Sequence, residues 1–411
     1  MEGDIDERYL MSIATPLRTS SRHLTGFWFV AAAFVTLMAF GTVPTPLWPI
    51  YQSRDHFGPT TVTVAFAAMV IGAAGALRVL GHLSDRLGRR RIIVPALLTA
   101  ILSAAILAIW PQLPALLIGR LLTGVAIGLM ASTATTYLTD LYREARPAAS
   151  PAFPALVATA SNLGGLALGP VVAGALAQWV PLPLRTSYLL FGGLLVVLLL
   201  LVLSSPETVD TELAAQDRPV RFALRTGHGG AFVAAAALAA LAFAVMGLFS
   251  SFGAIIVRGQ LGITSYLVGG LVPFITFAAS AIAQLALGRL EYSKLLRTGA
   301  FVFPVGLAVT AVALYHPSLW LLMVGALLAG AGAGLLFKGA VTETIRTAVP
   351  ASRAGVLSTF FVIAYFGMGL PSIAFSLVIR HVALQPAMIG LAVLLSAGSV
   401  AAVAASLRNQ D

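Results

Sequence analysis

The chain of 411 residues contains no cysteine, which excludes disulfides and thiolate metal sites. It is also poor in charge: Asp, Glu, Lys and Arg make up 10% of it, where a soluble domain carries about 25%. No acid stands in the middle of an apolar run, since all fifteen fall in polar stretches or at their edges. Lysine occurs only as Lys294 and Lys338, against 23 arginines, a bias we read as genome composition. The histidines (His23, His56, His82, His228, His316 and His381) stand in loops or at the ends of apolar runs. No HExxH or GxSxG pattern occurs, so no catalytic constellation is visible and an enzyme is not expected. Gly330-Ala331-Gly332-Ala333-Gly334 follows no strand, and no Walker-type phosphate loop is present. ATP is therefore not the expected energy source, and neither a cofactor nor a metal is called for.

What the chain has in abundance is apolar length. It is 59% hydrophobic, more than one soluble core can bury, so the bilayer is the solvent. Twelve apolar segments lie near the ~20 residues that cross a hydrocarbon core. In the first half they run over 24–46, 61–80, 92–110, 114–138, 151–178 and 185–204. In the second they run over 230–257, 265–287, 297–315, 318–342, 353–379 and 385–406. The runs are continuous rather than alternating, which argues for helices and against a transmembrane barrel. Glu2, Asp4, Asp6 and Glu7 occupy the start, and the first run is too long for a signal-peptide core. That run is expected to remain as a membrane helix.

Basic residues set the orientation. Eighteen precede span 1, follow span 12 or lie in the even-numbered loops. Only Arg54, Arg185, Arg258 and Arg380 lie on the other side, and Arg78, Arg120 and Lys338 lie within spans. This bias places both termini in the cytoplasm, with the chain crossing the cell membrane many times. It also accounts for the net charge of +10 without invoking nucleic acid. The one long polar stretch divides the chain into a tail (1–23), a six-helix bundle (24–204), a linker (205–229), a second bundle (230–406) and a tail (407–411).

The two bundles repeat. Leu116–Leu129 reads LLIGRLLTGVAIGL and Leu322–Leu335 reads LMVGALLAGAGAGL, 206 positions later. Gly119, Gly124 and Gly128 match Gly325, Gly330 and Gly334. The expected fold is an all-α polytopic membrane protein with twelve transmembrane helices in two pseudo-symmetric six-helix bundles. Two related halves are a transporter plan, with the site between them near the membrane midplane.

The loop Gly81-His-Leu-Ser-Asp85-Arg86-Leu-Gly88-Arg89-Arg90-Arg91 resembles the signature between helices 2 and 3 of the major facilitator superfamily. Arg120-Leu-Leu-Thr-Gly124 resembles that family's helix-4 arginine motif. Gly165-Leu-Ala-Leu-Gly169-Pro170, with Gly174, is similar to the helix-5 motif of its twelve-helix drug/proton antiporters. Pro44-Thr-Pro46-Leu-Trp48-Pro49 resembles the end of helix 1 in many prokaryotic members. The resemblance implies a proton-coupled exporter of small molecules or drugs working by alternating access. It would act as a monomer in the lipid bilayer, with a small molecule and protons as partners. An uptake symporter or facilitator for a metabolite is the rival within transport. A non-transporting sensor or scaffold is the rival outside it.

The same residues carry chemical expectations. In the family, the acid matching Asp85 faces the start of helix 11, where Ser352 and Arg353 would supply a cap and a positive charge. Arg89 is expected to pair with Asp140. Gly81, Asp85, Arg86, Gly88, Arg89, Arg90, Asp140 and Arg353 together form a candidate conformational latch. Arg120 lies within a span, where an arginine costs roughly 2.5–3.5 kcal/mol. It cannot release its proton, so it would bind an anionic group or tune an acid. Lys338 is a second cation deep inside a span, Arg78 lying only one turn from a span end, and Glu343 is a candidate to neutralise it. Trp48, Tyr51, Asn162, Gln284 and Tyr365 are candidate substrate contacts. Gly124, Gly128, Gly165, Gly169 and Gly174 fit close helix packing, and Pro170 can bend its helix. With no carboxylate in mid-span, a neutral or anionic substrate suits Arg120 and Lys338 better than a cation. Replacing Asp85→Asn in inserted protein should change both transport rate and conformational exchange; a variant that matches the wild type in both would remove Asp85 from the latch.

Overall fold

The computed structural model describes residues 3–80, 87–209 and 222–408. Among these residues, twelve helices are long and apolar enough to cross a membrane. The first half holds α1 (Gly3–Thr42), α2 (Pro59–Leu80), α3 (Arg89–Ile109), α4 (Leu113–Ala145), α5 (Ala152–Trp179) and α6 (Pro183–Leu203). The second holds α7 (Gly229–Gly259), α8 (Tyr266–Leu287), α9 (Tyr292–Tyr315), α10 (Leu319–Thr347), α11 (Arg353–Val378) and α12 (Leu384–Arg408). A short helix, Trp48–Asp55, follows α1 after a 3-10 turn at Thr45–Leu47. The described residues form no strand, only an isolated antiparallel bridge between Leu224 and Ala348. Most connections among the described residues are short and make successive helices antiparallel, and the Leu224–Ala348 bridge brings the residues before α7 to the end of α10; the end of the bundle with the ends of α4, α6, α10 and α12 is called the terminal end.

Helix limits depart from the apolar runs where polar sequence continues the helix. The α1 backbone is helical from Gly3, within the stretch expected as a tail. Helix α4 continues to Ala145, past the expected 138, and stops before Arg146-Pro147. An apolar run measures the hydrocarbon, whereas proline and lost backbone bonding end a helix. Helix α1 ends at Thr42 for the same reason, because Pro44 and Pro46 cannot donate to the carbonyls behind them.

The halves share one contact plan. In each, the second and third helices pack on the fourth (α2 and α3 on α4; α8 and α9 on α10). The third also packs on the sixth (α3 on α6; α9 on α12). Between halves, α5 packs on α8 and α2 on α11.

Close approach explains the repeated glycines. A Cβ on Gly124 would strike the Met69 carbonyl of α2, and one on Gly330 would strike the Thr276 carbonyl of α8. Gly128 faces Ala73 of α2 as Gly334 faces Ser280 of α8, and Gly119 faces α3 as Gly325 faces α9. The three sequence matches therefore occupy equivalent helix crossings. Lipid tails give helices no hydrophobic reason to associate, so such backbone approach supplies the attraction. Gly165 and Gly169 seat α5 on Val35 and Ala39 of α1, and Gly174 meets Tyr266 of α8. Pro170 leaves the Leu166 carbonyl without its intrahelical donor, and the Thr42 hydroxyl supplies one at 2.9 Å.

Replacing Gly124→Val should cost about 1–3 kcal/mol by overpacking and lower the thermal midpoint of purified protein. Gly193→Ala, where an added methyl meets nothing within 4 Å, should leave that midpoint unchanged or slightly raised.

Candidate functional site

At the terminal end, the start of α3 gathers the charges. Gly88 has φ 104°, a left-handed conformation that glycine adopts without strain. The Glu207 carboxylate occupies the space where a Gly88 Cβ would stand. That carboxylate accepts from the Arg89 amide at 2.8 Å through Oε1 and from the Arg90 amide at 3.0 Å through Oε2. It thereby satisfies two of the open donors of the α3 N-terminus and complements its dipole. Arg89 Nε lies 3.3 Å from Asp140 Oδ2, as expected. Arg90 Nη1 donates to the carbonyls of Leu203 at 3.2 Å and Ser205 at 2.9 Å. Tyr137 donates to the Pro206 carbonyl at 2.6 Å. The end of α6 is thus tied to α3 and α4.

Gly81, Asp85 and Arg86 lie outside the described residues. Arg353 is exposed at the start of α11. Ser352 does not cap that helix: its hydroxyl donates to Ala223 O at 2.6 Å and Val349 O at 3.1 Å. The linker claims it instead, because Leu224 pairs with Ala348 and Arg225 N donates to Thr347 O at 2.9 Å. Ser358 Oγ, one turn into α11, donates to Leu77 O of α2 at 2.9 Å.

Toward the opposite end, Arg120 is 2% exposed. Its Nη1 donates to Gly41 O at 2.6 Å, and its Nη2 to Met69 Sδ at 2.9 Å. The guanidinium lies 6.0 Å from the Trp48 ring and 5.9 Å from the Phe66 ring, within cation–π range. Gly41 O is an open carbonyl at the α1 C-terminus, where a cation is favoured. Arg120 therefore holds the end of α1 and the break that follows. Beyond that break, Trp48 Nε1 crosses to Ser250 O of α7 at 3.2 Å. The Tyr51 hydroxyl meets that of Tyr188 at 3.0 Å. Thr63 bonds Ser376 at 3.0 Å, and Gln178 Oε1 accepts from Tyr266 N at 3.1 Å. The contacts of Trp48, Thr63 and Gln178 draw the two halves together at this end, while the Tyr51–Tyr188 contact ties the short helix to α6 within the first half. Trp48 and Tyr51, expected as substrate contacts, are fully buried in this closure.

The second half presents a different surface. Lys338 is half-buried on α10 beside Phe337. Phe243 of α7 lies 5.1 Å from Phe337 and 5.7 Å from Tyr365 of α11, centroid to centroid. Among the described residues, the Lys338 ammonium has no hydrogen bond or ion pair. The proposed pairing with Glu343 does not form, since that carboxylate lies 3.7 Å from Arg346. Five positions along a helix turn two side chains to different faces, whereas three bring them together. Gln284 is buried on α8 and bonds Ser280 at 3.4 Å, while Asn162 is half-buried on α5. The single set of candidates thus separates into a closure around Arg120 and, in the second half, an aromatic group of Phe243, Phe337 and Tyr365, with Lys338 directed instead toward Gly288. Sequence reading missed Glu207, Tyr188, Ser250, Phe243 and Phe337. Only Glu207 had a local signal, an acid following a proline directly after an apolar run.

A cavity of about 740 Å³ lies elsewhere, between α9 and α12. Its lining is largely apolar and includes the exposed Val312, Ile389 and Val393, so it faces the lipid rather than a polar substrate path.

Known proteins share this fold. The model of the Major Facilitator Superfamily matches residues 29–372. The multidrug transporter MdfA of Shigella boydii is 27% identical over 311 residues, 72% of each chain. The glucose transporter GlcP of Staphylococcus epidermidis is 39% identical over 82 residues, which spans 20% of this chain and 18% of that one. A solved structure of the nucleoside transporter NupG aligns with TM-score 0.71 at 13% identity, covering 94% of this chain and all (100%) of the other.

Replacing Trp48→Ala should loosen the closure around Arg120. Because the chain has no cysteine, Ser251→Cys gives a single label at a fully buried position. Its reaction with a membrane-impermeant thiol reagent should rise several-fold in the Trp48→Ala background; equal labelling in both backgrounds would show that Trp48 does not seal this end.

Proposed function

The chain belongs to the Major Facilitator Superfamily and is a multi-pass membrane transporter of small molecules; from that premise we propose that it exports them by alternating access, in exchange for protons. The observation that carries the reading is the division of labour between the two cations. Arg120 is committed to the α1 carbonyl end, while Lys338 has no ion pair among the described residues and extends toward Gly288 at the end of α8, one position along α10 from the Phe337 ring that meets Phe243. An unpaired positive charge within a largely apolar bundle suits an apolar molecule bearing a carboxylate or another polar acceptor. Neutral and anionic compounds fit this surface better than cations do.

Export draws support from the MdfA match, which reaches across most of both chains. Uptake is the second reading, and the short but closer match to a glucose transporter favours it. The excess of basic residues at the terminal end supports a cytoplasmic position for that end. On this reading the α1 tip closes the outer face, while the latch around Arg89, Asp140 and Glu207 works on the inner one. The protein functions as a monomer in the cell membrane.

Vesicles containing the purified protein and an internal pH dye provide the test, screened with a chemically varied panel. Proton movement should depend on both the imposed gradient and the compound, and the direction of labelled substrate separates export from uptake. A gradient-independent response to every compound would count against proton exchange. Lys338→Met should weaken apparent affinity for acidic compounds by roughly tenfold or more, the loss of one charged hydrogen bond worth about 1.5–3 kcal/mol. Lys338→Arg should retain part of it.

A further inference from the structure

The cavity between α9 and α12 belongs neither to the closure around Arg120 nor to the aromatic group of the second half. Each helix gives it one face. Pro304, Ala308, Ala311 and Tyr315 keep a helical period along α9. Ile389, Ala392 and Ser396 keep the same period along α12. Ala311 and Ala392 are buried, while Val312, Ile389 and Val393 stand exposed beside them.

The groove exists because this half has small side chains where the other has large ones. The last backbone bonds of α3 and α9, Trp110 N to Ile106 O and His316 N to Val312 O, stand 206 positions apart. At that offset Pro304 and Ala308 replace Leu98 and Leu102 of α3. Helix α12 reads Ser-Ala-Gly-Ser-Val-Ala-Ala over 396–402, whereas α6 carries only leucine and valine over 194–203.

Length, volume and polarity identify the occupant. Pro304 to Tyr315 is eleven positions. At about 1.5 Å each they cover ~16 Å, roughly half of a ~30 Å hydrocarbon core. The groove begins at the end opposite the terminal end, where Tyr315 and His316 line it, and reaches the middle of both helices at Pro304 and Ala397. Beyond Tyr315 and His316, Ser396 alone brings a polar side chain to the lining. A helix of this length, about 10 Å across, occupies roughly 1,300 Å³. That exceeds the cavity of about 740 Å³, so a second copy of the chain cannot seat a helix there. An acyl chain is thinner and bends to an irregular wall. Lipid already surrounds the helices, so what it gains in the groove is closer packing. At the mouth, the Tyr315 hydroxyl and the His316 ring are donors at the level of the headgroup oxygens.

We propose that the α9–α12 groove binds one acyl chain of a phospholipid from the leaflet at that end, with the headgroup beside Tyr315 and His316. The proposal needs the membrane spans and is independent of what is transported and in which direction.

The test uses full-length protein in vesicles of phosphatidylethanolamine and phosphatidylglycerol, doped with a phospholipid carrying a diazirine at its acyl terminus. After illumination, peptide mapping should find the label on α9 around Pro304 several-fold above that on α3 around Leu98. A diazirine next to the ester should move the label to Tyr315 and His316. Ala308→Leu combined with Ala397→Leu, both at exposed positions, should lower the α9 label to the α3 level. Equal label on α3 and α9 of the wild type overturns the proposal, as does a label that persists in the filled variant. Because the chain has no cysteine, Ala397→Cys reports on the rival occupant. Disulfide-linked dimers formed in high yield on mild oxidation in the same vesicles would make this face an interface between copies and sink the lipid site.

Discussion

Three interruptions of helices in this protein are answered by other parts of the fold, because hydrocarbon offers no hydrogen bonds. Where α1 stops at its prolines, Arg120 takes up the Gly41 carbonyl. Where Pro170 frees the Leu166 carbonyl, Thr42 reaches it from α1. Where α3 starts with open amides, Glu207 closes them from beyond α6. Polar side chains are few, and they collect at the breaks. The same breaks are where helices join to one another and where the two halves meet.

Between the breaks, packing rests on small residues. Gly124 and Gly330 hold corresponding crossings of α4 on α2 and α10 on α8, so the duplication is visible in contacts as well as in sequence. Divergence then shows at the terminal corners. One half fills its corner with an ion pair and a capped helix start. The other buries Glu343 beside the exposed Arg346. Two of the cations within spans differ as well: Arg120 donates to the α1 carbonyl end, and Lys338 makes no ion pair among the described residues.

Much of this was legible in the linear order of residues. Apolar length gave the twelve spans, since a helix crossing a bilayer needs about 20 residues whatever surrounds it. The Arg89–Asp140 pair was foreseen from opposite charges at the ends of neighbouring spans. The Lys338–Glu343 pair was not realised, because five positions separate two faces of a helix and Arg346 lies closer. Ser352 looked like a helix cap, but the linker backbone took its hydroxyl. Trp48, a candidate substrate contact, is carried across to α7 by the α1 break, a contact its position in the chain does not reveal.

The sequence by itself determined the solvent, the number of spans, the duplicated plan and the glycines at which helices cross. These depend on length and period, which are local properties. The tertiary structure alone decided which cation is spent on the backbone, which acid caps α3 and which acid is buried on α10. Those outcomes depend on which helices become neighbours, and residues such as Arg120 and Gly41, or Arg89 and Glu207, meet only after the chain has folded across many intervening positions.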